Sequence, residues 1–340
     1  MPRKTKQNDI TSPELLKQVN PENMQLLDDF IDYMRSVKRS EGTIEAYRSD
    51  IQIAWVWNLQ HNSNAFYCDW TKRNIIRYQN WLLNENENSP ARVRRLKASL
   101  SSLGNFIESV LDSEYPNYRN IINKVENPVN QPVREKTVWK EDELEGLLNK
   151  LVSGKQYDKA CYLALAMYSG RRKAELCRFK VSDFDDDHLV CDGALYKSSP
   201  IKSKGRGCGK YINCYTLANQ FKPYLDLWLK DRNEQGISSI WLFPSKTNTD
   251  EHIAISTANS WANTYSRLSG RDAYLHSLRH YFTTSLARAG IPDGVIQSVV
   301  NWQSGDMVKL YKDIDTDEEL SMYFTKDGIV APQSKSFSDI

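Results

Sequence analysis

Three separated stretches of this chain concentrate residues able to act on a charged ester. The first is Ser169-Gly170-Arg171-Arg172-Lys173-Ala174-Glu175-Leu176 and the second His276-Ser277-Leu278-Arg279-His280. The third is Val300-Asn301-Trp302, followed by Tyr311 within Lys309-Leu310-Tyr311-Lys312. Arginine stays protonated at any working pH and presents a planar fork of donors that matches phosphate oxygens. A phenol of pKa about 10 attacks only when a neighbour accepts its proton or stabilises its anion. Histidine is suited to that task. Taken singly, each stretch has a plainer explanation. Arg172 and Glu175, three apart on a helix, would form a surface ion pair, and a tyrosine near the end of a chain would be packing. His276 and His280, with Asp272 one turn earlier, share a helical face as metal ligands would. Arg279 falls on nearly that face, and its charge opposes a bound cation.

Together the three stretches resemble the tyrosine recombinase family, the phage integrase-type site-specific recombinases. Ser169 to Leu176 is similar to that family's T-G-L-R-x-x-E-L motif, with Arg171 where the family usually has an apolar residue. His276 to His280 matches H-x-L-R-H in full. The family's L-G-H, with its nucleophilic tyrosine nine positions on, is matched with Trp302 in place of the histidine and Tyr311 at the same interval. The resemblance covers Thr137 to Tyr323 and, less specifically, the helical region before it.

The resemblance implies catalytic roles for Arg172, Lys204, His276, Arg279, Trp302 and Tyr311. Arg172 and Arg279 would clamp the non-bridging oxygens of a DNA phosphodiester, and by analogy with other phosphoryl transfer one such arginine supplies on the order of 10³ to 10⁵ in rate. Tyr311 would attack to give a 3′-phosphotyrosine, with His276 as general base or phosphate donor and Trp302 donating its indole N–H. In resembling enzymes a hairpin lysine protonates the leaving 5′ oxygen. Ser203-Lys204-Gly205 lines up best with that family's Gly-Lys-Gly, with Lys202 as second choice because alternation places both on one strand face. The role of His280 stays open. The ester conserves the energy of the broken bond, so resealing needs no ATP, and no metal or other cofactor is expected. Implied partners are duplex recombination sites, a homotetramer linked by exchange of C-terminal tails, and an accessory directionality factor. A type IB topoisomerase and a DNA-binding relative without catalysis are the competing readings.

The elements that would position these residues fall into two groups. The expected fold is mainly α with a small antiparallel β-sheet: a helical SAM-like core-binding domain followed by a mixed α/β catalytic domain. Residues 1–22, polar and interrupted by Pro2, Pro13 and Pro21, read as a flexible arm. Residues 23–114 read as the helical domain. Leu26, Leu27, Phe30, Ile31 and Met34 recur at helical spacing, as do Ile44, Tyr47, Ile51 and Trp55, and then Ile75, Ile76, Tyr78, Trp81 and Leu82. Ser89-Pro90 supplies an N-cap and a first-turn proline for a helix carrying Arg92, Arg94, Arg95 and Lys97. That basic run is assigned to DNA-backbone contact together with Lys202, supported by Lys38, Arg39 and Arg48; its plainer reading is a solvated face. Residues 115–136 read as a linker, 137–326 as the catalytic domain and 327–340 as a tail. Within the catalytic domain, strands are expected at 188–192, 194–201 and 210–215, the last two joined by the glycine-rich turn Gly205 to Gly209.

Composition is compatible with this organisation. The chain has 340 residues, 40% hydrophobic and 26% charged, which suits two globular domains. A net charge of +2 does not itself indicate nucleic acid, since 45 basic and 43 acidic residues can segregate to different faces. No apolar run approaches the roughly 18 residues of a membrane span, and the basic start lacks an apolar core for a secretory signal; a cytoplasmic, DNA-associated protein is expected. The six cysteines show no CxxC pair, so a zinc set of His188, Cys191, Cys208 and Cys214 is disfavoured.

Overall fold

The computed structural model describes residues 10–129, 139–203 and 209–302, together with Ser304, Gly305, Val308 and the backbones of two short terminal strands. Lys204 and Tyr311 lie outside the described residues, as does Thr137. The chain divides after residue 135 into two compact units, each with its own core.

The first unit is helical. Its helices are α1 (Pro13–Leu16), α2 (Pro21–Ser36), α3 (Glu41–His61), α4 (Lys72–Asn80) and α5 (Pro90–Val110). The apolar stripes expected from spacing do enter the core, where Leu27, Ile31, Ile51, Ile75, Leu82 and Leu100 are fully buried. Ser89 caps α5 by accepting the Arg92 N–H, and Pro90 stands in its first turn. A cluster of Trp55, Trp57, Tyr67, Trp70 and Tyr78 fills the centre with edge-on and tilted ring contacts.

Two boundaries differ from expectation. The segment from Ile10 is not a loose arm: Ser12 caps α1, Val19 is buried, and Asn20 pairs with Asn64. Nor does the unit stop near residue 114. Tyr118 and Ile122 join its core, and the Val125 and Glu126 carbonyls accept hydrogen bonds from the Lys97 ammonium. The physical reason is the same in both: short, proline-rich segments without periodicity still bury single apolar side chains where a helix bundle leaves room.

The second unit mixes helices with short strands. Helices α6 (Glu141–Ser153) and α7 (Tyr157–Ser169) lead to the one-turn α8 (Lys173–Leu176). The strands are β1 (Leu189–Val190), β2 (Leu195–Lys197), β3 (Ile201–Ser203), β4 (Lys210–Ile212) and β5 (Tyr215–Leu217). The chain then forms α9 (Ala218–Glu234), α10 (Ile255–Ser269), α11 (Leu275–Arg288) and α12 (Asp293–Val300). The stretch 194–201, expected as one strand, breaks at Ser198 to Pro200. Its first half pairs between β1 and β5, and its second half pairs with β4. Every pairing is antiparallel, and in the β3–β4 hairpin Lys202 stands opposite Tyr211. Near the end β6 (Phe324–Thr325) pairs with β7 (Gly328–Ile329), so a boundary at 326/327 would cut a strand pair. The almost wholly buried α7 is the axis of this unit, with α6, α9 and α11 packed around it.

Candidate active site

The turn after α7 is where the site begins. Gly170 ends the helix with φ +58°, and a Cβ there would collide with the Phe282 ring of α11. Glycine is therefore required both for the left-handed conformation and for close approach. Arg171 and Arg172 follow with opposite fates. Arg171 is 2% exposed and donates from Nη2 to the Val299 carbonyl at the end of α12. Arg172 is the N-cap of α8, with its side chain 37% exposed.

Glu175 organises Arg172. Its carboxylate accepts the Arg172 backbone N–H and Nη1–H, both at 3.0 Å, and the Ser203 hydroxyl at 2.5 Å. Burial alone would raise its pKa, but the Ser203 hydroxyl, the neighbouring Arg171 charge and Arg172 hold it below the usual carboxylate value. The plainer reading of a surface pair does not describe this contact: Glu175 is 1% exposed, and Arg172 stands at the end of a helix rather than within one. The apolar-to-cation departure at Arg171 also gains a physical role, as a counter-charge to a buried carboxylate and a tie to α12.

Helix α11 carries the second motif. Arg279 is 1% exposed and donates to the Gly170 carbonyl (3.0 Å) and the Val300 carbonyl (2.8 Å). Its guanidinium lies 4.9 Å from the centre of the Trp302 ring, a cation–π contact. His276 is exposed by surface area, though its ring is partly enclosed by neighbouring groups. Partial burial of its ring, then the charges of His280, Arg279, Arg172 and Lys173, lower its pKa from 6.5 to about 4. The imidazole is therefore neutral at pH 7 and a weaker base than a free histidine. His280 stands edge-on to it at 5.7 Å.

Trp302 follows α12 through Asn301, which adopts φ +59° and accepts a hydrogen bond from Lys210 of β4. The end of α12 is thus held by three cations, Arg171, Arg279 and Lys210. That placement also suits the negative end of a helix dipole.

Arg172, His276, Arg279 and Trp302 are brought together around the Gly170 turn. Lys202 is exposed on β3, two residues after which the chain reaches Lys204, and the contact of Ser203 with Glu175 brings this hairpin strand to Arg172. Among the described residues no group of three or more His, Cys, Asp or Glu is placed to hold a metal ion. Cys208 lies outside them.

Several positioning residues escaped sequence reasoning. Trp139 donates its indole N–H to the Ser277 hydroxyl (2.7 Å), and Arg271 stacks on Trp139 while pairing with Glu143 at 2.6 Å. These contacts anchor the start of α11 beneath His276. The only signal was the small polar residue inside H-x-L-R-H, whose partner lies 138 positions away in the chain.

In the first unit the basic helix is not uniform. Arg92 and Arg95 bond Asp50, Arg94 is exposed and reaches the Pro128 carbonyl, and Lys97 is buried. Lys97 is therefore withdrawn from the DNA-contact set: its ammonium is used by Gln79, Val125 and Glu126, and burial lowers its pKa.

A family model described as the phage integrase family matches residues 137–318, and one described as the phage integrase N-terminal SAM-like domain matches residues 26–117. The chain belongs to the phage integrase family. Among curated relatives of this integrase-family chain, the SPbeta prophage-derived recombinase-like protein YomM of Bacillus subtilis (strain 168) is 28% identical over 251 residues, covering 73% of this chain and 72% of that protein. A tyrosine recombinase of Thermosipho africanus (strain TCF52B) is 21% identical over 300 residues, covering 86% and 96%. Among solved structures, a lambda integrase tetramer bound to a Holliday junction aligns with TM-score 0.62 at 17% identity, over 85% of this chain and 77% of that one. At that identity the likeness concerns the fold: a SAM-like helical domain followed by a tyrosine recombinase catalytic domain.

Proposed function

We propose that this chain is a site-specific DNA recombinase that cleaves and rejoins duplex strands through a 3′-phosphotyrosine at Tyr311, without metal or ATP. The observation that carries the reading is the gathering of Arg172, Arg279, neutral His276 and Trp302 about one turn. In the proposed reaction the Tyr311 oxygen attacks the phosphorus and His276 takes the phenolic proton. Arg172 and Arg279 neutralise the charge that builds on the non-bridging oxygens. The bond to the 5′ oxygen breaks as Lys204, or failing that Lys202, supplies its proton. A 5′ hydroxyl of a partner strand then reverses these steps and releases the tyrosine. Glu175 touches none of the reacting atoms in this scheme; it sets where Arg172 points.

The partners proposed are duplex recombination sites gripped by both units, with Arg92, Arg94, Arg95 and Lys202 on backbone phosphates. A homotetramer joined by C-terminal tails is proposed by analogy with the tetramer described for lambda integrase. An accessory directionality factor belongs to the same scheme, as does a cytoplasmic, DNA-associated location. Among the described residues no helix is long and apolar enough to cross a membrane.

The test uses a suicide duplex bearing the attachment repeat found by sequencing the DNA that flanks the gene. A covalent protein–DNA adduct is expected with the native chain and none with Tyr311→Phe. No adduct on the true site would leave a DNA-binding protein, and efficient relaxation of plasmids lacking the site would favour a topoisomerase.

A further inference from the structure

We infer that Asp50 is the positioning residue of a backbone-phosphate site formed by Arg92 and Arg95, an inference that rests on the DNA-binding reading proposed above. Arg92, Arg95 and Ser99 are spaced three and four apart, so they form one stripe of α5. That stripe meets Asp50 of α3. Arg92 donates from Nη1 to one carboxylate oxygen at 2.7 Å, and Arg95 donates from Nε to the other at 3.0 Å. Ser99 completes the set with a hydroxyl donated at 2.9 Å. Asp50 is 2% exposed, whereas the Arg92 and Arg95 side chains are 30% and 56% exposed.

The arrangement is unbalanced in a way that points outward. Two cations share a single anion, so one positive charge is left over. Each guanidinium carries five N–H donors, and among the described residues both arginines bond to Asp50. Because Arg95 is held through Nε, its two terminal nitrogens form the end that is offered to solvent, and such an end pairs with phosphate oxygens. A carboxylate serving the fold alone would need one arginine and would leave no excess charge. Here the buried acid fixes two long, otherwise mobile side chains before any ligand arrives, which removes an ordering cost from binding. Lys97, on the opposite side of the same helix, is committed to internal carbonyls and takes no part.

The sign of the effect makes the inference testable. Deleting an acid from a DNA-facing surface should strengthen binding to a polyanion if only net charge mattered; a positioning role demands the reverse. The experiment measures affinity of the full chain for non-cognate duplex DNA across a salt series, since phosphate contacts are independent of sequence. Arg92→Ala/Arg95→Ala should lower the log–log salt slope by about 1.8, at roughly 0.9 per lost phosphate. Asp50→Asn should weaken binding about threefold to tenfold and lower the slope by about 1. Ser99→Ala should produce a smaller loss of the same sign. In the Arg92→Ala/Arg95→Ala background, Asp50→Asn should change nothing. Tighter or unchanged binding by Asp50→Asn, while the arginine pair proves important, would overturn the positioning role. So would a loss that persists in the double-arginine background, which marks general damage to the unit. If the arginine pair itself leaves affinity and slope untouched, α5 does not face DNA and the site falls with that reading.

Discussion

His276 is surrounded by positive charge, with His280, Arg279, Arg172 and Lys173 all opposing a second proton on its ring after partial burial has already done so. The depressed pKa, about 4, has a definite sign. Between pH 6.5 and about 4 the unfolded chain binds a proton here that the native chain refuses, so this group costs stability as pH falls through that window. In the proposed reaction the neutral form of His276 persists well below neutrality, though as a weaker base than a free imidazole. Single-turnover cleavage should therefore show no loss attributable to His276 between pH 8 and about 5, with an acid limb only near pH 4 to 5. Proton NMR of the free protein should find the His276 ring neutral at pH 6; a midpoint between 6 and 7 would contradict this account. Arg171 illustrates the same scale. Its cation stands where the resembling family has an apolar side chain, yet it is buried, tied to Val299 and opposite the buried Glu175.

Elements in this protein are fastened by single polar side chains at their ends. Helix α5 is the clearest case, since one face holds Asp50 through Arg92 and Arg95 while the other holds the following segment through Lys97. Lys97→Met keeps most of the aliphatic volume but leaves the Val125 and Glu126 carbonyls without their donor. A loss of about 1 kcal/mol in urea unfolding is expected, from hydrogen bonds lost at a half-buried and an exposed carbonyl. The salt slope for DNA binding should stay as in the native chain. A reduced slope without loss of stability would return Lys97 to the DNA-contact set. Helix α11 is fastened in the same manner, through Ser277 to Trp139, and α12 through Arg171, Arg279 and Lys210. Such ties set helix ends, and helix ends are where Arg172, His276 and Trp302 of the candidate site stand.

At the scale of the whole molecule, the proposed recombination asks more of the chain than one active site. Removal of residues 315–340 should leave DNA affinity within about twofold, because the assigned phosphate contacts lie elsewhere. Strand exchange between two duplexes should fall to background while a covalent adduct still forms. Unchanged exchange by the truncated chain would refute a linking role for the tail. The helical stripes, the Ser89-Pro90 helix start and the two-unit organisation were legible in the sequence, because helical period and capping chemistry are local. Motif spacing also singled out Arg172, His276, Arg279, Trp302 and Tyr311 as candidates, and among the described residues the first four are gathered about one turn. What the sequence alone could not decide was where equivalent side chains go. Arg171 and Arg172 are adjacent arginines, one buried and one half-exposed; Arg95 and Lys97 are near neighbours on one helix, one outward and one internal. Burial and pairing depend on partners supplied from distant positions, such as Val299, Asp50 and Val125, and only the folded chain brings those partners within hydrogen-bonding reach.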